Sequence, residues 1–365
     1  MRSVSAASTP SIGNTVDWEF AANVGAKLTR PQPPASDYTR RHAIEQLSEC
    51  ARRAELPVRD VTGLNEGAAV TEARVIDRNE WVRAATESMR VMTGGADGDG
   101  KSSGFLTRRI TGVQTGAVLA FISSGILGQY DPFAPPRGQE RSDSGDQPSG
   151  GELLLVYPNV IAVERQLRVS PADFRLWVCL HEVTHRVQFR ANPWLAEHMS
   201  QSLATITGDA SQDVTEMIGR LGEFVRQRRD GSQTNSDGII GVLRAMQSEP
   251  QRKALDQLLM LGTLLEGHAE HVMDAVGPAV VPSVATIRRR FDERRQTKQP
   301  PLQRLIRTLL GFDAKLSQYT RGKAFVDDVV AKVGMKRFNT VWTSPETLPL
   351  TTEVEEPQRW IDRVL

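Results

Sequence analysis

Residues 170–193 read SPADFRLWVCLHEVTHRVQFRANP, and within them His181-Glu182-Val183-Thr184-His185 forms an H-E-x-x-H pattern. On a helix, positions i and i+4 share a face, so both imidazoles can bind one metal ion while the glutamate stands beside the open coordination position. The flanks predict such a helix. Ser170 is an N-cap residue, Pro171 suits the first helical position, and Asp173 stands in the first turn, where it complements the helix N-terminus. Leu176, Val178, Leu180, Val183, Val187 and Phe189 cover much of the circumference, which suits a helix buried in a domain. Ala191-Asn192-Pro193 ends it. Just upstream, Glu152-Leu153-Leu154-Leu155-Val156-Tyr157 is a short apolar run between a Gly/Ser/Pro-rich segment and Pro158-Asn159, and it reads as a buried strand.

Two histidines do not complete a catalytic zinc site, which takes three protein ligands and leaves one position for water. A metzincin would place glycine at 188 and histidine at 191; the chain has Gln188 and Ala191, so that ligand set is excluded. The gluzincin arrangement takes a glutamate from a second helix, with an acid one turn later to support a metal histidine. Leu264-Leu265-Glu266-Gly267-His268-Ala269-Glu270-His271 fits it. Glu266 and Glu270 share a face, so Glu266 is the expected third ligand, with Glu270 accepting the free ring N–H of His181 or His185. Glu197 and His198, just past Pro193, are the competing third ligands. His268 lies about 200° around the helix from Glu266 and is expected to point away from the metal, hydrogen-bonded or in solvent. His271, at about 140°, stands at the margin of the site. Cys179 is expected to be a buried thiol rather than a ligand.

The order of blocks along the chain resembles a family of actinobacterial zincin-like proteins of unknown function, some labelled hydrolases and some associated with biosynthesis of the deazaflavin coenzyme. The blocks are Val16-Asp17-Trp18, Thr62-Gly63-Leu64, Asn79-Glu80-Trp81-Val82, Leu127-Gly128-Gln129-Tyr130-Asp131 and Leu155-Val156-Tyr157-Pro158-Asn159. They continue through the H-E-x-x-H, Glu266-Gly267-His268-Ala269, Lys315-Leu316-Ser317-Gln318-Tyr319 and the region from Trp342 to Trp360. The resemblance implies a metallopeptidase-like helical fold with His181, His185 and a downstream glutamate on the metal, and it brings no substrate.

The chain of 365 residues carries 45 basic and 44 acidic groups for a formal charge of +1, so no global field favours nucleic acid or an anionic membrane. The basic run from Arg288 to Arg295 is interrupted by Asp292 and Glu293 and reads as a solvated helix face. Two cysteines, Cys50 and Cys179, do not make a disulfide framework and fit a reducing compartment. No apolar signal region precedes Trp18, and the apolar stretch from Gly116 to Leu127 is too short to span a bilayer as a helix. A cytoplasmic protein is expected.

The predicted architecture is mainly α with a small β-sheet (α+β), a zincin-like fold with added helices. Residues 1–14 read as a disordered tail, 15–103 as an N-terminal helical region with helices near 17–28, 36–54 and 79–92, and 104–365 as the metal-bearing domain. Polar connections are expected at 94–100, 138–151 and 228–238, and Asp97/Asp99 lacks the closing glutamate of a calcium loop. Helical patterns at 195–228 and 239–276 include an insertion at about 195–260 that can wall the cleft. Further helices are expected at 283–296, 300–311 and 321–333, with Trp342, Trp360 and Ile361 packing back onto the body.

If the site is catalytic, Zn²⁺ on His181, His185 and Glu266 activates water, and Glu182 takes its proton and delivers it to the leaving amine. Tyr130, Tyr157 and His271 are the candidate partners of the oxyanion. Peptide or amide hydrolysis of a peptide or protein substrate is the reaction class implied. The alternatives are a zincin scaffold retired to binding or structural duty, and an accessory protein of deazaflavin-coenzyme metabolism. No P-loop or dinucleotide fingerprint supports coenzyme binding.

Overall fold

Leu153, Leu154, Leu155 and Val156 are each no more than 1% exposed, so both faces of this strand are covered. The computed structural model describes residues 12–95, 104–134, 151–207, 248–296 and 312–365. The terminal tail to residue 11, Asp97 and Asp99, the connections 138–150 and 228–238, and the helical patterns 208–228, 239–247 and 300–311 lie outside the described residues. In chain order, the first helices are α1 (Trp18–Leu28) and α2 (Asp37–Thr62), followed by strand β1 (Arg74–Ile76) and helices α3 (Arg78–Met92) and α4 (Phe105–Ser123). Strands β2 (Gly128–Asp131) and β3 (Glu152–Val156) come next, then α5 (Tyr157–Leu167), α6 (Pro171–Ala191) and α7 (Trp194–Thr207). The C-terminal part holds α8 (Glu249–Val276), α9 (Val284–Gln296) and α10 (Phe312–Val333), then the short α11 (Met335–Phe338), α12 (Thr351–Glu355) and α13 (Pro357–Val364). The fold is mostly helical with a three-stranded mixed sheet, as the sequence predicts.

The sheet order is β1-β3-β2, with β1 parallel to β3 and β2 antiparallel to it. β3 is therefore central, which accounts for its unbroken apolar run. The strand stops at Val156, one residue before the sequence reading, and Pro158 begins a helix instead of closing a strand. Proline is tolerated in the first turn because its missing N–H would be unpaired there anyway. Asn159, 1% exposed, secures the junction: its Nδ2 donates to Ser123 O at 2.7 Å and its Oδ1 accepts from Arg78 Nε at 2.7 Å. β1 and β2 have only three and four residues, too short for a periodicity to declare them.

The helices obey their local signals. The Ser170 side chain caps α6, and Asp77 with Glu80 forms a capping box on α3, each accepting a backbone N–H of the other at 2.9 Å. α2 runs past Pro57 to Thr62, eight residues beyond the expected end at 54, and Gly63 closes it in the left-handed conformation with its N–H on Arg59 O at 2.7 Å. What holds the extra turns is burial. Val58 and Thr62 are fully buried, and Glu55, also fully buried, accepts from Arg59 Nη2 at 2.6 Å and from Arg186 Nη2 of α6. Arg186, 1% exposed, also donates to Thr71 O at 2.6 Å, so one carboxylate joins α2 to the helix that carries the histidines.

On the other side of α6 stands α8, which also packs on α7 and α10. Gly267 of α8 meets the Gly322 backbone of α10 so closely that a Cβ would lie 2.6 Å from the Lys323 nitrogen. The chain's end returns to this core: Trp360 is fully buried with its Nε1 donating to Thr347 O at 2.8 Å, and Trp342 O accepts from Trp194 Nε1 at 2.8 Å. No helix among the described residues is long and apolar enough to cross a membrane.

Glu55→Ala is expected to lower the unfolding free energy by about 3–5 kcal/mol, because two buried guanidinium groups would lose their carboxylate. The urea midpoint measures it, and a loss under about 1 kcal/mol would mean that the arginines find other partners.

Candidate metal centre

Burial around α6 leaves one strip of the helix less than fully enclosed, and the two histidines lie on it. His181 and His185 are one turn apart with their Nε2 atoms 3.1 Å from each other. α8 crosses opposite them and presents Glu266, with Oε2 3.4 Å from His181 Nε2 and Oε1 3.7 Å from His185 Nε2. Among the described residues these three form the one group of three or more His, Cys, Asp or Glu side chains whose donor atoms all lie within 4.8 Å of one another. The separations suit zinc: in a tetrahedral shell with bonds of about 2.0–2.1 Å, donor atoms stand roughly 3.3 Å apart. The donor types, two imidazole nitrogens and a carboxylate oxygen, also belong to a catalytic zinc site. The side chains of His181, His185 and Glu266 keep 21%, 14% and 32% exposure, so the cluster opens to solvent.

Glu182 is 8% exposed and lies against the edge strand β2. A Cβ on Gly128 would stand 2.6 Å from Glu182 Cγ and 2.9 Å from its Cδ, so this glycine makes the room in which the carboxylate sits. Burial, opposed by the His181 charge and assisted by Glu266, pushes the Glu182 carboxyl up to about 7. Burial also opposes charge on His181, but the hydrogen-bonded Glu266 carboxylate, with Glu182 and Glu270 behind it, carries that imidazole up to about 9. His185 moves the other way, lowered by burial and then by its charged neighbour His181.

The other expected site residues are placed as follows. Glu270 does not take a ring N–H of either histidine. Its Oε2 accepts from Arg288 Nη1 of α9 at 2.7 Å, so Arg288, expected on a solvated helix face, is an ion-pair partner instead. The group on His185 Nδ1 is instead Gln188 Oε1, at 2.9 Å. Its i+3 spacing from His185 was visible in the sequence, but glutamine carried no charge to mark it. His271 Nδ1 pairs with Asp327 Oδ1 of α10 at 2.7 Å. Tyr157 donates its hydroxyl to Gln32 Oε1 at 3.2 Å, and Tyr130 is buried with its ring 5.8 Å from that of Phe189.

The competing third ligands stay outside the cluster too. His198 packs its ring 5.8 Å from Trp194, and Glu197 accepts from Gln201 Nε2 at 2.8 Å. Cys179 is fully buried beside Leu47 O, and burial raises its thiol well above the usual range. His268 lies outside the donor cluster, fully buried between Phe338 and Trp342 with its Nδ1 2.9 Å from Gln188 Nε2.

A crystal structure of a protein from Chloroflexus aurantiacus, provisionally described as a hydrolase with a novel fold, is similar to this one. The TM-score is 0.65 at 28% sequence identity, over 95% of this chain and 98% of that one. No curated protein matches the chain. The model of a family described as zincin-like metallopeptidase matches residues 16–361, a span that contains all three donors and Glu182. That family implies a metal, typically zinc, and together with the similar structure it supports a hydrolase-like function. With the H-E-x-x-H helix, the facing glutamate and the match over nearly its whole length, the chain belongs to the zincin-like metallopeptidase family.

Proposed function

We propose that this protein is a zinc-dependent hydrolase of peptide or amide bonds. The observation that carries the reading is the convergence of His181 Nε2, His185 Nε2 and a Glu266 oxygen from a second helix, with Glu182 buried beside them. His181, His185 and Glu266 would hold the ion, which when bound supplies a Lewis acid that acidifies water and polarises a carbonyl. Glu182 is the general base: its carboxylate takes a proton from the attacking water and hands it to the departing nitrogen. The exposure of the three donors favours a catalytic site over a sealed structural one, in which all positions around the ion would be protein-filled.

The sheet supports a peptide as substrate. Leu127 O accepts from Val156 N at 2.8 Å, which puts the hydrogen-bonded pairs of the β2–β3 ladder at odd residues of β2 and turns the backbone groups of Gly128 outward. Among the described residues no further strand pairs with β2 on that side. An extended chain laid along this edge would pair with it by strand addition and pass beside Glu182, which touches Gly128.

Elemental mass spectrometry of native-purified protein should find near-stoichiometric zinc that Glu266→Ala abolishes and His198→Ala retains; the reverse pattern would overturn the ligand assignment. Glu182→Gln should keep its zinc and lose about 10²–10⁴-fold in hydrolysis of a peptide library, and equal activity would remove Glu182 from the mechanism. Gly128→Ala should fold, bind zinc and lose about 10²-fold in turnover as the added methyl displaces the base. Unchanged turnover would show that Glu182 has a second productive position.

A further inference from the structure

His185 can use Nε2 as a donor atom only if its proton sits on Nδ1, and something must hold it there. Gln188 Oε1 is 2.9 Å from that Nδ1. An amide does this job only in one orientation, because turned over it would offer N–H groups to Nδ1 and favour the wrong tautomer. The Leu265 carbonyl decides the orientation. Gln188 Nε2 is 3.0 Å from Leu265 O, a carbonyl that can only accept, so the amide nitrogen must face it. The same Nε2 is 2.9 Å from His268 Nδ1, which takes the second N–H. With both protons of the amide committed, Oε1 is left facing His185.

We propose that Gln188 is the positioning residue of the metal centre, holding His185 in the Nδ1–H form with Nε2 turned to the donor cluster, and that His268 locks the orientation of Gln188. The arrangement does two things at once. It sets the tautomer of a histidine on α6, and it ties that histidine to Leu265, the residue before Glu266 on α8. Gln188 and His268 are both fully buried, so water does not compete for either bond. His268 has Nδ1 accepting, so its own proton is on Nε2, and Nε2 has no hydrogen-bond partner. An unsatisfied buried N–H is costly, and it is tolerated here because the opposite tautomer would set two donors against each other at Gln188. Phe338 and Trp342 hold the ring in place, with centroids 5.5 and 5.3 Å away. A neutral amide stands where a carboxylate would commonly support a metal histidine, so the ring is oriented without an added negative charge.

This inference rests on the zinc reading for its purpose but not for its test. Long-range ¹H–¹⁵N spectra of the metal-free full-length protein report the His185 tautomer directly, taken above pH 9 so that His181, whose Nε2 is 3.1 Å from His185 Nε2, has lost the extra proton that would itself hold the Nδ1–H form. Wild type and Gln188→Glu, which keeps the acceptor, should show the Nδ1–H form; Gln188→Met should shift toward Nε2–H. In chelator competition the zinc dissociation constant of Gln188→Met should rise about 10–100-fold, while that of Gln188→Glu should not rise. His268→Phe keeps the ring stack and removes the Nδ1 acceptor. It should move the tautomer in the same direction as Gln188→Met, and it carries the test if Gln188→Met does not fold. An Nδ1–H tautomer retained in both Gln188→Met and His268→Phe would overturn the proposal, as would equal loss of zinc by the Met and Glu variants. Wild-type protein that binds no zinc while the tautomer responds as expected would sink the metal reading and leave this one standing.

Discussion

A metal site shared by two helices depends on their register. His181 and His185 are placed relative to each other by one turn of α6, but Glu266 reaches them only if α8 crosses at the right height and rotation. Donor separations of 3.1 to 3.7 Å leave little freedom, since sliding α8 by one residue would move Glu266 by about 1.5 Å along the axis and turn it by about 100°. The surrounding contacts work to prevent that slip. Gln188 bonds the Leu265 carbonyl from the α6 side, and behind α8 the Gly267–Gly322 approach lets α10 press backbone against backbone. Arg186 anchors α6 from its other flank to Glu55 of α2.

Charge is arranged with the same economy. Glu266, Glu270 and Asp274 form an acidic stripe at i, i+4 and i+8 along α8. The distal two are matched by bases from neighbouring helices: Arg288 holds both Glu270, at 2.7 Å, and Asp274, at 2.6 Å, while Lys323 reaches Asp274 at 3.1 Å and also pairs with Asp327. Glu266 faces the imidazoles instead. The stripe thus begins at the donor cluster, where Glu266 stands 3.4 Å from His181 Nε2 and 3.7 Å from His185 Nε2.

Much of this was legible in the sequence because the relevant signals are local. The N-cap at Ser170, the capping box at Asp77 and Glu80, the apolar run before Pro158 and the i, i+4 spacing of His181 and His185 are all set within a few residues. Glu266 was legible for a related reason: it sits in a helical segment whose own spacing brings an acid and its neighbours to one face. Where the reading went astray, a distant contact overrode a local cue. Pro57 signals a helix end, yet α2 continues because Glu55, Val58, Arg59 and Thr62 are buried against other elements. Glu270 has the spacing of a histidine support, yet Arg288 from α9 claims it. β1 and β2 carry too few residues to show a period and exist because β3 offers both edges.

By itself the sequence determined the H-E-x-x-H helix, the central strand before it and the candidacy of Glu266, because helix geometry converts spacing in the chain into position in space. Only the tertiary structure decided that α8 brings Glu266 to the histidines, that Gly128 gives Glu182 its room, and that the Gln188 amide meets the Leu265 carbonyl of α8. Those are contacts between residues roughly 50 to 85 positions apart, and across such distances the chain's own periodicity carries no information about which side chains meet.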